Sequence, residues 1–156
     1  MNVGPRFLLP LDLPPMEAQL ADRLPDGEDW QFEPKWDGFR CLAFRAGAEI
    51  DLRAKSGKPL GRYFPEIVSL LRSLAPKDFV VDGELVIPGH GTLSFDALQM
   101  RLHPAESRIR KLAAATPATL ILFDILSTEN EPKLARATTA RAPTSARGIP
   151  PQGDRA

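Results

Sequence analysis

The sequence has a single cysteine and no net charge. One cysteine, Cys41, in 156 residues excludes an internal disulfide and fits a reducing compartment. Lys plus Arg and Asp plus Glu number 20 each, so the formal net charge is zero. That sum carries no overall electrostatic footprint for nucleic acid, although a neutral total accommodates a basic face. No apolar run approaches the length of a membrane span. The start, MNVGPRFLLPLDLPPM, has an apolar patch interrupted by prolines and an aspartate, and it does not read as a signal peptide. The expectation is a cytoplasmic chain with no membrane association. At 43% hydrophobic and 26% charged residues it has the composition of a globular protein, long enough for one domain with a real core.

The chain changes character near residue 127. Residues 1–14 read as an N-terminal extension, 15–126 as a patterned domain, and 127–156 as a tail. Within the domain, EAQLADRL (17–24) is a short helix candidate. QFEPK and FRCLAFRAGAEIDLRAK read as strands, with a turn at Ala46-Gly47 and with Cys41 and Ala43 on the face opposite Leu42 and Phe44. PEIVSLLRSL (65–74) is predicted helical, with Pro65 in its first turn and Ile67, Leu71 and Leu74 on one face. FVVDGELVIPG (79–89) reads as two strand pieces around a glycine. SFDALQMRL (94–102) reads as a helix capped by Ser94, with Phe95, Leu98 and Leu102 aligned. HPAESRIRKLAA (103–114) reads as another helix and ATLILFDIL (118–126) as a buried strand. Strands and helices mix without regular βαβ alternation, which favours an α+β fold of antiparallel sheets flanked by helices. The tail has only Leu134 and Ile149 as bulky aliphatics and no aromatics, so it is expected to be disordered.

FEPKWDGFR (32–40) raises a chemical question. A lysine amine, with an ordinary pKa of about 10.4, becomes a nucleophile when its surroundings favour the neutral form. Lys35 lies between Pro34 and Trp36, which can fix the backbone and exclude water. Gly38 permits a tight turn, Asp37 could orient the amine, and Arg40 suits a phosphate or a ribose hydroxyl. A solvated lysine in a strand-turn is the plainer alternative. DLRAKSGKPL (51–60) gathers Arg53, Lys55 and Lys58 around a glycine, a cationic loop of the kind that meets phosphates; a solvated hairpin end is its alternative. VVDGELVI (80–87) sets Asp82 and Glu84 into an apolar strand, where carboxylates are costly unless paired or metal-bound; otherwise it is an Asp-Gly turn with an exposed glutamate. LILFDIL (120–126) places Asp124 beside Phe123, which could equally be core packing.

Taken in order, EPKWDGFR, LRAKSGKPLGRYFPE, VVDGELVI and LILFDIL closely resemble successive motifs of the ATP-dependent DNA ligases, within the covalent nucleotidyltransferase superfamily. LSFDALQMRLHPAESRIRKLA is similar to the bacterial type associated with non-homologous end joining. The resemblance covers about residues 10 to 126 and implies part of a nucleotidyltransferase (ATP-grasp-like) adenylation domain. It implies that Lys35 attacks the α-phosphorus of ATP and carries AMP as a phosphoramidate. It puts Glu33 near the adenine amino group, Arg40 at the ribose, and Phe123 against the adenine face. Lys55 stands where the family usually has an arginine for nucleotide and 5′-phosphate, keeping charge without bidentate geometry. Glu84 would contact the ribose or help position Mg²⁺, with Asp37 and Asp82 as supports.

The family pattern continues with a glutamate-glycine motif, one or two lysines, and an OB-fold domain. The sequence contains no E-G-x-V-x-K string, and nothing after Leu126 resembles those parts. The expectation is therefore a truncated domain, at most partly active in adenylation. ATP and Mg²⁺ are the implied cofactors, nicked double-stranded DNA and end-joining proteins the implied partners, and a monomer the implied state. The alternatives are an RNA ligase or capping-type nucleotidyltransferase, and an inactive nucleotide-binding remnant.

Overall fold

The computed structural model describes residues 6–16, 35–89, 91–103, 105–129 and 131–132. The helix expected at 17–24, Glu33 and most of QFEPK, and the tail from residue 133 lie outside the described residues.

Phe39–Ala46 forms β1, which is paired along both edges within the sheet. Its antiparallel partner β2 (Glu49–Ala54) follows a two-residue turn at Gly47 and Ala48, one position later than predicted, with Gly47 at φ +60°. β3 (Asp78–Val86), β4 (Thr119–Thr128) and the short β5 (Glu131–Pro132) complete one antiparallel sheet, in the order β2-β1-β3-β4-β5. The sequence predicted sheets in the plural; the described residues contain this one. VVDGELV is a single continuous strand rather than two pieces. β4 runs to Thr128, past the expected end of the domain at Leu126.

β1 is buried on both faces, because apolar residues occupy both of its alternating sets. Cys41 and Ala43 face a core built with Leu52, Phe64, Ile67, Leu71 and Leu98 from the helical side. Leu42 and Phe44 face a second core with Val80 and Leu126, and Phe7, Leu9, Leu11 and Leu13 pack over it. The segment read as an N-terminal extension thus covers the second face of the sheet. Phe7 meets Phe44 edge-on, at 6.0 Å between ring centroids.

The helical side carries α1 (Pro65–Ser73), α2 (Phe95–Met100) and α3 (Glu106–Ala115). Pro65 opens α1 where its missing N–H costs nothing, and the Ser94 hydroxyl accepts from the Ala97 N–H to cap α2, both as predicted. Two of the expected face residues are not buried. α1 stops at Ser73 and α2 at Met100, so Leu74 and Leu102 fall beyond the helices and remain exposed. β4 also departs from expectation. It was read as buried, but Leu122 and Ile125 are 51% and 43% exposed; among the described residues β4 has a partner along its whole length on one side only.

Two buried arginines fasten the helices to the sheet. Arg45, on β1, donates through Nη1 and Nη2 to the carbonyls of Leu71, Arg72 and Leu74, and through Nε to that of Gly47. A cation under the C-terminal end of α1 satisfies carbonyls that have no partner within the helix, and it opposes the negative end of the helix dipole. Arg101, at the end of α2, donates to the Tyr63 and Thr116 carbonyls and to Glu66, and lies over the Phe64 ring at 5.0 Å. Glu66 in turn accepts from the Ala118 N–H just before β4.

Candidate active site

At one end of β1 and β3 the apolar row Leu42, Phe44, Val80 gives way to charge. Arg40 is the next residue of that face on β1, and Asp82 and Glu84 continue it on β3. The register sets Arg40 opposite Glu84, and Asp82 opposite Leu42. Arg40 grips the diagonal carboxylate: its Nε and Nη2 donate to the two oxygens of Asp82, each at 2.7 Å. The Asp82 side chain is only 5% exposed, and a buried carboxylate needs such a bidentate partner.

Glu84 is held differently. It accepts from the Gly38 backbone N–H, and burial pushes its carboxyl above the ordinary value of 4.5. The Arg40 cation, the Gly38 N–H and the Lys35 cation pull it back down, while Asp82 adds to the rise. Lys35 itself is exposed, and its charge acts on Glu84.

Gly38 was expected to serve a tight turn. Among the described residues the positive-φ glycines are Gly47, Gly57 and Gly91, and Gly38 is not one of them. What requires glycine there is close approach: a Cβ at Gly38 would lie 2.2 Å from the Leu85 carbonyl oxygen. Gly83, between the two carboxylates, is under the same constraint, with the Ile121 carbonyl oxygen 2.3 Å from its would-be Cβ.

Phe123 reaches the group through an irregularity. Asp82 pairs with Asp124 and Gly83 with Leu122, so Phe123 is an extra residue on β4 with no partner on β3. Such a bulge re-aims a side chain. The Arg40 guanidinium sits over the half-buried Phe123 ring, 4.7 Å from its centroid.

An open cleft of about 1060 Å³ lies against this end of the sheet, with Gly38, Arg40, Lys55, Lys58, Arg62 and Glu84 in its wall. The loop after β2 delivers Lys55 and Lys58. It is closed by Ala54 N–H to the Lys58 carbonyl and Gly57 N–H to the Ala54 carbonyl, with Gly57 at φ +78°. Arg53, grouped with those lysines in the sequence, does not line the cleft. Its fork is spent on Asp51 at 2.6 and 2.8 Å, which raises its pKa further. The fold therefore joins Arg40, Lys55 and Glu84 around one cleft. Lys35 and Phe123 stand outside its wall, linked to it through Glu84 and Arg40, and Glu33 lies outside the described residues. Arg62 was missed. It follows Gly61 in LGRYFPE, and nothing in its spacing separates it from a solvated surface arginine.

Among the described residues no three His, Cys, Asp or Glu side chains are clustered to hold a metal. Mg²⁺ sites use one or two carboxylates and complete the shell with water and substrate phosphates; Glu84 is the carboxylate in the cleft wall.

The family model described as the ATP dependent DNA ligase domain matches residues 15–147, beyond Leu126, where the sequence resemblance was read to end. DNA ligase C2 of Mycolicibacterium smegmatis is 42% identical over 137 residues, covering 84% of this chain and 38% of that protein. DNA ligase C of Mycobacterium tuberculosis is 43% identical over 127 residues, covering 81% of this chain and 35% of that protein. The multifunctional non-homologous end joining protein LigD of Mycobacterium bovis is 37% identical over 73 residues, 46% of this chain and 10% of that protein. The chain thus spans about a third of the length of the two ligase C relatives. With an α+β framework and a family match over most of its length, the chain belongs to the ATP-dependent DNA ligase domain family.

Proposed function

We propose that this chain is the nucleotide-binding part of a ligase adenylation domain, and that Lys35 is its nucleophile. The neutral Lys35 amine attacks the α-phosphorus of ATP. A nitrogen–phosphorus bond forms, the bond from the α-phosphorus to the bridging oxygen breaks, the amine gives up a proton, and pyrophosphate leaves. The observation that carries this reading is the cleft itself, where Arg40, Lys55 and Glu84, far apart in sequence, share one wall.

In this reading Lys55, Lys58 and Arg62 supply positive charge for the phosphates. Glu84 meets the ribose or, with the phosphates and water, Mg²⁺, whose chemistry when bound is to neutralise charge on the transferring group. Arg40 faces the sugar, and Phe123 offers an aromatic surface to the adenine. Glu33 is assigned to the adenine amino group by resemblance. Nick sealing in double-stranded DNA, and service alongside end-joining proteins, are proposed for a ligase of the length of the curated relatives.

The test is incubation of the chain with ATP labelled at the α-phosphate and Mg²⁺, followed by denaturing electrophoresis. A labelled band that disappears in Lys35→Ala is expected. Label that persists in that variant rejects the assignment, and label transferred from GTP in preference to ATP would favour a capping-type enzyme.

A further inference from the structure

Asp82 and Glu84 are two residues apart on the same face of β3, both within reach of Arg40, yet the fold treats them differently. The Nε–Nη2 edge of Arg40 goes to Asp82, the diagonal neighbour, and not to the residue directly across the ladder. While that grip holds, Glu84 cannot take the same bidentate edge. Asp82 is deeper, with 5% of its side chain exposed against 30% for Arg40, so it cannot turn to solvent if the arginine leaves. The same grip fixes the guanidinium over Phe123.

We infer that Asp82 is a positioning residue for nucleotide binding: its buried carboxylate sets Arg40 between the cleft and Phe123 and keeps the arginine's bidentate edge away from Glu84. This rests on the proposed function, since the nucleotide is what both residues would meet. An arginine oriented before the ligand arrives loses less side-chain freedom on binding. Glu84, spared that pairing, keeps acceptor capacity for the ligand. Asp82 touches no ligand in this account and acts wholly through Arg40.

The test uses the full chain and two measurements. The first is the Arg40 Nε–H resonance in a ¹⁵N spectrum, assigned by its absence in Arg40→Ala. It is expected to be unchanged in Glu84→Gln and strongly shifted in Asp82→Asn; an unshifted resonance in Asp82→Asn overturns the inference. The second is equilibrium dialysis with labelled ATP. Asp82→Asn is expected to bind about tenfold more weakly, the scale of one charge-assisted hydrogen bond. Adding Arg40→Ala to Asp82→Asn is expected to weaken binding no further, and the double variant also avoids stranding a buried carboxylate. A further loss in the double variant means that Arg40 works without Asp82, and the inference fails. Absence of ATP binding by the unaltered chain overturns the proposed function instead, and the resonance still reports whether Asp82 sets Arg40.

Discussion

Arg101 and Glu66 meet at 2.8 Å, the arginine with none of its side-chain surface exposed. They tie the last turn of α2 to the first turn of α1, and through Glu66 to the backbone just before β4. Truncating one member of a buried pair strands the other, at a cost of about 3–5 kcal/mol. Glu66 keeps some solvent contact, which places Arg101→Ala near the lower end of that range. Urea unfolding monitored by circular dichroism should show the loss, whereas Arg110→Ala, which removes an exposed pair with Glu106, should change stability by about 0.5 kcal/mol or less. Equal effects from the two substitutions would mean that Arg101 is not the fastening point.

Glu84 predicts a pH dependence. Burial holds its folded-state pKa above 4.5, so between 4.5 and the folded value the native chain binds more protons than the unfolded chain. Stability attributable to this group is therefore full below 4.5 and falls as pH rises through the folded value. Glu84→Gln cannot ionise and keeps an acceptor for the Gly38 N–H. Its melting temperature should exceed that of the unaltered chain at pH 7, and the two should converge below pH 4.5. A difference that does not change between pH 4 and 8 would count against this account.

Cys41 is completely buried between β2 and β3, and burial first, then the Asp82 charge, pushes its thiol from 9.0 up to about 12. It is protonated and shielded at pH 8, where thiol reagents need an accessible thiolate. Modification by Ellman's reagent should be negligible in the native protein and should follow the urea transition. Rapid, full labelling without urea would show that the β1–β3 core opens readily.

Local features were legible in the sequence, and long-range ones were not. The two-faced pattern of β1, the proline that opens α1 and the Ser94 cap depend on neighbours within a few residues, and the sequence displays them. Leu74 and Leu102 were misplaced because periodicity marks a face but not where a helix stops. Arg45 and Arg101 look like surface residues in the sequence; their acceptors stand on other elements and become visible only when those elements meet. In the site, motif order brought out Arg40, Lys55 and Glu84, which share the cleft, but could not show that Arg40 would choose Asp82 over the residue opposite, nor that Phe123 would occupy a bulge. Arg53 and Lys55 are two residues apart, and only the structure separates the one bound to Asp51 from the one facing the cleft.

Gly83 has a bearing on how genetic variation in this chain should be interpreted. It carries no functional group, yet the spacing between β3 and β4 depends on it, since a methyl there would meet the Ile121 carbonyl oxygen at 2.3 Å. A replacement would wedge the two strands apart between Asp82 and Glu84, and carry the bulged Phe123 away from Arg40. If Lys35 is the nucleophile proposed above, a survey of inactivating variants would score this position beside it, and a chemist reading the scores would suspect a second reactive group. The distinction lies in what survives: under the proposed function, a chain without the Lys35 amine would keep its shape and its nucleotide binding, while a chain without the Gly83 hydrogen would lose both together.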